Sequence, residues 1–288
     1  MRQTRTAPRG RQGRRGRPNY WLTALALLAF AVVFLVPFAF IVLTAAKGQQ
    51  EASLLDFSLP SDWQFGENLQ AVLEARDYLL IIAFINSVVL TVSSVTVMVV
   101  IASMVAFVLH RRRGPWTGPV NLLVLSGLII PPAVVPTIWV LQEIGLFKTL
   151  LGLIMVEITF GLAFSVLLFR AFIATVPREL DESAVIDGAG PLRLFFRVIF
   201  PLLRPVTITV IVVQSVAVFN DFANPLYFLP GEENATVQLT LFNFQSQFET
   251  QYNLLFMDIL LITLPPLVMF LFFNRQIVAG MTSGAIKG

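Results

Sequence analysis

Three stretches of this chain carry no charged side chain: residues 18–46, 78–109 and 114–142, which are 29, 32 and 29 residues long. A helix rises 1.5 Å per residue, so about 20 apolar residues cross the hydrocarbon core of a bilayer. Hydrocarbon offers no water to backbone N–H and C=O groups, so each run must satisfy its own as a helix. Three further apolar runs hold one acid each, at about 149–170 (Glu157), 205–228 (Asp221) and 254–274 (Asp258). The expectation is an all-α, polytopic membrane protein with six transmembrane helices. Composition agrees, since 13% of the residues are charged against roughly 25% in soluble domains.

Lys and Arg set the orientation, because they are retained on the cytoplasmic side. Six spans put both ends on one face. Seven arginines precede the first span, three form the run Arg111–Arg112–Arg113, and five lie between spans four and five. With Arg275 and Lys287 after span six, seventeen basic residues share one face, and only Lys47, Arg76 and Lys148 lie on the other. Both termini are therefore expected in the cytoplasm of a cell-membrane protein. The basic leader 1–19 reads as a cytoplasmic tail holding the first span in place, not as a nucleic-acid arm. The protein has no cysteine and one histidine, His110, beside the arginine run. That rules out thiolate metal sites and leaves no histidine cluster, so no metal site is expected.

The loop 47–77 holds six acids and two bases and reads as an outside segment with a short helix near its end. A second outside segment, about 230–253, is polar and aromatic, and "NAT" at 234–236 matches a glycosylation acceptor. In span three, Pro131, Pro132 and Pro136 remove helical donors and predict a broken helix.

The most informative stretch is polar. "ELDESAVIDGAGPLRLFFRVIFPLLRP" (179–205) alternates acids with Arg193, Arg197 and Arg204 between two apolar spans. Pro177 suits a first helical turn, and Glu179, Asp181 and Glu182 sit at its positive dipole end. Leu180, Ala184 and Asp187 then share one face. Gly188 and Gly190 stop that helix and Pro191 begins a second. Ser183, Ala184, Gly188 and Ala189 form a small-residue patch open to close approach by another protein. Taken alone, the same pattern also suits a helix lying on the membrane surface.

This segment resembles the EAA loop of ABC-type importer permeases. That pattern runs Glu-Ala-Ala, three residues, Gly, nine residues, then Ile-x-Leu-Pro. Glu182, Ala184, Gly188 and Pro201 stand at its positions with the spacing intact, and Asp187-Gly188-Ala189 matches the carbohydrate branch. Ser183, Val198 and Phe200 are mild departures. "FNDFANPLYF" (219–228) is similar to that branch's Trp-Asn-x-Phe segment, with Phe219 for the tryptophan, and "NSVVLT" at 86 matches its start of span two. The ending "RQIVAGMTSGAIKG" resembles that of the maltose-type second permease subunit. The resemblance covers residues 78–288.

The resemblance implies a transport subunit, not an enzyme, in an ATP-driven importer of a sugar or sugar derivative. Its companions would be a second homologous permease, two ATPase subunits and an extracytoplasmic solute-binding protein. Glu182, Ser183, Ala184, Asp187, Gly188 and Ala189 would form a coupling helix docked on an ATPase, with the tail residues Thr282, Gly284 and Lys287 touching the ATPases. Phe219, Asn220 and Asp221 are candidates for the substrate path. ATP and Mg²⁺ would reside on partners, and independently this chain has no GxxxxGK[ST] phosphate loop. The expected organisation is a tail at 1–19, a six-span domain at 20–277 with its coupling segment at 177–201, and a cytoplasmic tail at 278–288. Three glycines in that tail disfavour a helix there. The alternative is an ion-coupled secondary carrier in which Glu157, Asp221 and Asp258 bind protons or Na⁺, because intramembrane acids are costly. A membrane-bound transferase is disfavoured by the lack of any catalytic cluster.

Overall fold

The chain spends its length on long apolar helices linked at one end by short turns and at the other by larger segments. The computed structural model describes residues 20–112, 114–245 and 250–285, with Leu22 and residues 274–285 as backbone alone. In order, α1 is Tyr20–Ala45, α2 Gln49–Ala52, α3 Phe65–Arg111, α4 Thr117–Ile129, α5 Val134–Glu143 and α6 Leu150–Ile173. Then come α7 (Glu179–Ile186), α8 (Pro191–Leu194), a π-helical turn (Phe195–Ile199), α9 (Phe200–Leu202), α10 (Arg204–Phe219) and α11 (Ala223–Phe228). A short α12 (Val237–Thr240), a 3₁₀ turn (Leu241–Phe244) and α13 (Tyr252–Ala285) complete the described chain.

Four helices are long and apolar enough to cross a membrane, and two bent pairs bring the count to six if each pair is one span. One pair, α4 and α5, turns through 116° at Ile130–Ala133, where Pro131 and Pro132 stand. Proline removes the donor and clashes with the preceding turn, so the break falls where the sequence places it. The other pair, Pro191–Leu202 and α10, bends by 77°. α3 is also two pieces. Ala75 leaves helical geometry, and Arg76, Asp77 and Tyr78 adopt left-handed backbone (φ 49°, 55° and 63°) before the apolar span resumes. The short helix before the break and span two therefore meet at the boundary marked by the charge pattern.

The core has two parts. Along α3, α6 and α10, Leu90, Val99, Ala102, Ala106, Val166, Phe169, Ile173 and Val210 are buried together. α3 packs most extensively on α6, and small residues permit it. A Cβ on Gly161 would lie 2.4 Å from Met98 Cε. Ser165, one turn on, donates to the Gly161 carbonyl (2.9 Å), and Gln214 of α10 donates to the Gly161 carbonyl and Ser165 Oγ (3.0 and 2.9 Å). Small residues four apart with polar groups bonded across helices are a common way to hold helices in lipid.

The second part lies at the end carrying loop 47–64. There the carbonyls at the end of α1 and just past it, which have no partner within the helix, are taken by the next elements. Asn68 Nδ2 donates to the carbonyls of Ala45 (2.8 Å) and Lys47 (2.9 Å), and Gln64 N donates to that of Ala46 (2.9 Å). Asn253 at the start of α13 donates to Asn68 Oδ1 (2.8 Å), so one amide ties α1, α3 and α13. Lys47, 1% exposed, donates to the Asp56 carboxylate (2.7 Å) and carbonyl (2.8 Å). That bond, followed by those from Ser58, pushes the Asp56 pKa down to about 2.

The described part of the polar and aromatic segment, 230–245 and 250–253, is packed onto the body, and the expected end of the last helix is corrected. Ala235, Thr236, Val237, Thr240 and Phe244 are buried, and Asn86 and Ser87 of α3 bond the Ala235 carbonyl (3.1 Å) and the Val237 amide (3.0 Å). Apolar residues at 235, 237, 241 and 244 draw the segment back onto the body, while its polar backbone is paired by α3. The last helix also does not stop near Arg275. Its backbone stays helical to Ala285, through Gly280 and Gly284. Propensity penalties of roughly 1 kcal/mol per glycine are small beside continuation of a formed helix, which avoids a new nucleation step. The leader 1–19 and Lys287 lie outside the described residues, as do the side chains of Thr282 and Gly284.

Candidate functional site: the punctuated corner and a polar cleft

The corner at 177–200 is built as its residue types dictate. Acids fill the first turn of α7. At the other end Gly188 adopts φ +76°, its N–H bonds the Val185 carbonyl (3.0 Å), and Ala189 N–H bonds that of Ala184 (2.9 Å). Those two bonds define a Schellman cap, which needs a left-handed residue where Gly188 stands. Gly190 then caps α8 with Pro191 in its first turn. The π-helical turn that follows was not signalled by the sequence.

The six residues singled out here divide by direction. Ala184 is buried and Ala189 half-buried, whereas Glu182, Ser183, Asp187 and Gly188 face outward. Apolar neighbours join the outward face: Val185 is 59%, Ile186 85% and Leu192 65% exposed. Large apolar side chains thus stand exposed beside charge on a short polar helix. Sequence reasoning missed Val185, Ile186 and Leu192. Their 185, 186, 192 spacing has no helical period, because the glycine corner brings the two helices together.

Phe219, Asn220 and Asp221 do not act as a unit. Phe219 is buried against Phe84 (ring centroids 6.4 Å apart) and does not face a cleft. Asp221 Oδ1 accepts from the amides of Ala223 (2.9 Å) and Asn224 (3.3 Å), so it starts α11. Span five accordingly ends at Phe219 instead of running to 228, which corrects the expected boundary. Asn220 is exposed and lines a cleft of about 460 Å³ with Gln238, Leu241, Ile259, Ile262, Thr263 and Pro266. Gln238 Nε2 lies 3.4 Å from Asn220 Oδ1. The aromatic pair Phe222–Phe242 (5.4 Å) is partly exposed on the adjoining segments.

Nor do the intramembrane acids form one site. Glu157 accepts from Asn224 (3.1 Å) and interacts with Asp221. Asp258, fully buried, accepts instead from Thr240 Oγ1 (2.9 Å). Among the described residues no group of three or more acidic or histidine side chains is placed to hold a metal ion.

With this geometry in view, the kinship is direct. Residues 80–283 match the family described as binding-protein-dependent transport system inner membrane component. This chain belongs to that family and is a membrane-embedded permease subunit of an ABC importer. It is 31% identical over 270 residues to the melibiose/raffinose/stachyose import permease protein MelC of Bacillus subtilis, spanning 93% of this chain and 96% of that protein. It is 28% identical to the diacetylchitobiose uptake system permease protein NgcG of Streptomyces coelicolor, over 91% of this chain and 87% of that one. Its fold matches a chain in the crystal structure of a bacterial ABC transporter involved in import of the acidic polysaccharide alginate. That match has a TM-score of 0.76 at 19% identity and covers 89% of this chain and 95% of the other. Family membership displaces the ion-coupled carrier.

Proposed function

We propose that this permease carries a carbohydrate through the membrane and is driven by an ATPase seated on the corner at 177–194. The observation that carries the docking is the outward face of Glu182, Ser183, Asp187 and Gly188 with Val185, Ile186 and Leu192, which nothing in this chain covers among the described residues. A carboxylate at Glu182 suits an Arg or Lys of the ATPase, and the Cβ-free Gly188 lets backbone approach closely. The assembly contains a second homologous permease, two ATPase subunits that hold ATP and Mg²⁺, and an extracytoplasmic solute-binding protein. Both termini face the cytoplasm, and Thr282, Gly284 and Lys287 continue toward the ATPases.

Carbohydrate is the substrate class that fits both the relatives and the cleft. Sugars are bound by planar apolar surfaces together with amide and hydroxyl partners, and Asn220, Gln238 and Thr263 beside Phe222 and Phe242 offer that combination. Asp221 serves the path by fixing the Asn220–Asn224 turn. The test is reconstitution of the assembled transporter in proteoliposomes. Uptake of an oligosaccharide should require ATP and the binding protein and survive collapse of the proton gradient. Uptake driven by a proton gradient without ATP would overturn the proposal.

A further inference from the structure

Behind the outward face of the corner stands an ion pair. Arg111, the last residue of α3, places Nε 2.7 Å from Asp181 Oδ2, in the first turn of α7. The two side chains are 9% and 16% exposed. Arg111 Nη2 also donates to the carbonyls of Val176 (2.9 Å) and Pro177 (3.4 Å), on the link between α6 and α7. One guanidinium therefore holds three pieces of backbone: the end of α3, the exit from α6 and the start of α7. Its carboxylate partner sits at the positive end of α7, where the helix dipole favours a negative charge.

Consecutive acids divide the work. Asp181 turns inward to Arg111, while Glu182 faces out. Arg111, Arg170 and Arg178 are the cations around His110, and Asp181 is the acid among them. Arg170 is engaged elsewhere, bonded to Asn121 of α4. A second contact joins the same elements farther along, where Phe107 of α3 meets Phe195 of the π-helical turn (ring centroids 5.6 Å). Between the two contacts lies a groove of about 360 Å³, lined by Val108, Arg112, Val185, Ala189 and Pro191 among others. The corner thus rests on α3 at discrete points, with open space between them.

We infer that Arg111 and Asp181 are positioning residues that form a strut, through which displacement of the docked corner is delivered to span α3. This rests on the reading that the corner docks an ATPase. Neither residue touches solute or nucleotide. A push on α7 along its outward face meets the apolar Phe107–Phe195 contact, which can slide. It also meets a charge contact that cannot lengthen without leaving a poorly hydrated ion unpaired, so the load passes through the ion pair. Arg111 makes this ion pair, while Arg112 lines the neighbouring groove.

The test uses the complete transporter in proteoliposomes, with four variants: Arg111→Gln, Asp181→Asn, Arg111→Lys and Asp181→Glu. Two quantities are read, the ATPase subunit retained through purification and the ATP hydrolysed per solute delivered. For Arg111→Gln and Asp181→Asn the ATPase should remain bound while ATP used per solute rises about tenfold, within the range of ordinary coupling energies. The charge-conserving variants should recover most of the coupling. An unchanged ratio in both neutral variants would overturn the strut. So would loss of ATPase retention in step with transport and no recovery by Lys or Glu, because the pair would then merely shape the docking surface. If the unaltered protein retains no ATPase, the docking reading itself fails. A second measurement exploits the absence of native cysteine. Arg111→Cys/Asp181→Cys joined by a short bifunctional thiol reagent should still transport, since a strut moves as one body. Arrest of transport with the ATPase still bound would show that the contact must open, and would refute the proposal.

Discussion

Replacement of Gly188 separates what the corner needs for folding from what it needs for docking. The residue sits at φ +76°, where an L side chain costs roughly 1–2 kcal/mol. Among the described residues, nothing beyond its own chain neighbours lies within 4 Å of the position a Cβ would take, so crowding adds nothing to that figure. Gly188→Ala should therefore lower the stability of the isolated permease by about 1–2 kcal/mol. Gly188→Asn should lower it less, because Asn tolerates left-handed backbone. Docking ranks the variants differently, by bulk on the outward face, so Arg should be worst, Asn intermediate and Ala mildest. An interface loss of about 1.4 kcal/mol weakens association tenfold, and Gly188→Arg should exceed it. Thermal unfolding of the purified permease gives the first ranking, and retention of the ATPase subunit together with sugar uptake gives the second. Normal uptake and retention by Gly188→Arg would refute the docking. Activity that simply followed the stability ranking would show that the glycine serves only the helix cap.

Three other outcomes follow from the packing and the charges. Gly152→Ala should lower the melting temperature by several degrees, since its Cβ would lie 2.2 Å from the Leu146 carbonyl oxygen and overpacking costs about 1–3 kcal/mol; an unchanged Tm would contradict the α6 start described above. Asp258→Asn should keep most ATP-driven uptake, because an amide oxygen can still accept from Thr240, and complete loss at normal expression would show that the Asp258 charge does more than hold Thr240. The Asp56 carboxyl, held at about 2 against an ordinary 3.8, stabilises loop 47–58 above the ordinary value, and that contribution is lost as pH falls through about 2. Protection of the loop amides, taken against the intrinsic exchange rate at each pH, should be flat from pH 7 to about 4 and fall below, a fall that Asp56→Asn removes.

Much of the architecture was legible because lipid permits so few solutions. Charge-free runs located α1 and the apolar part of α3, the charge return at Arg76 and Asp77 located the break in α3, and Pro131–Pro132 located the turn between α4 and α5. The α7 cap was legible for a different reason: a left-handed residue between two short helices leaves glycine as the favoured choice. What stayed hidden depends on contacts between distant segments. Nothing local distinguishes Arg111 from Arg112, since the difference is the carbonyls of Val176 and Pro177 arriving beside one of them. Phe219 has the composition of a path residue and is buried because Phe84 faces it. The bonds from Asn86 and Ser87 of α3 that hold Ala235 and Val237 to the body leave no trace in the composition of either segment.

The amide knot of Asn68 and Asn253 also determines where the molecule can swing. It fastens α1, the first piece of α3 and α13 at one end, the break at Ala75–Tyr78 joins that piece to the span, and at the far end the span meets the corner through the Arg111 ion pair and an aromatic contact. Such a body is pinned at a fulcrum. The stretch from Leu79 to Arg111 is about 50 Å long at 1.5 Å per residue. A tilt of roughly 10° about the break beside the knot carries the Arg111 end through about 9 Å while the fulcrum end scarcely shifts. A small rotation at a docked corner thus becomes a wide opening at one mouth only, and the gain is set by helix length.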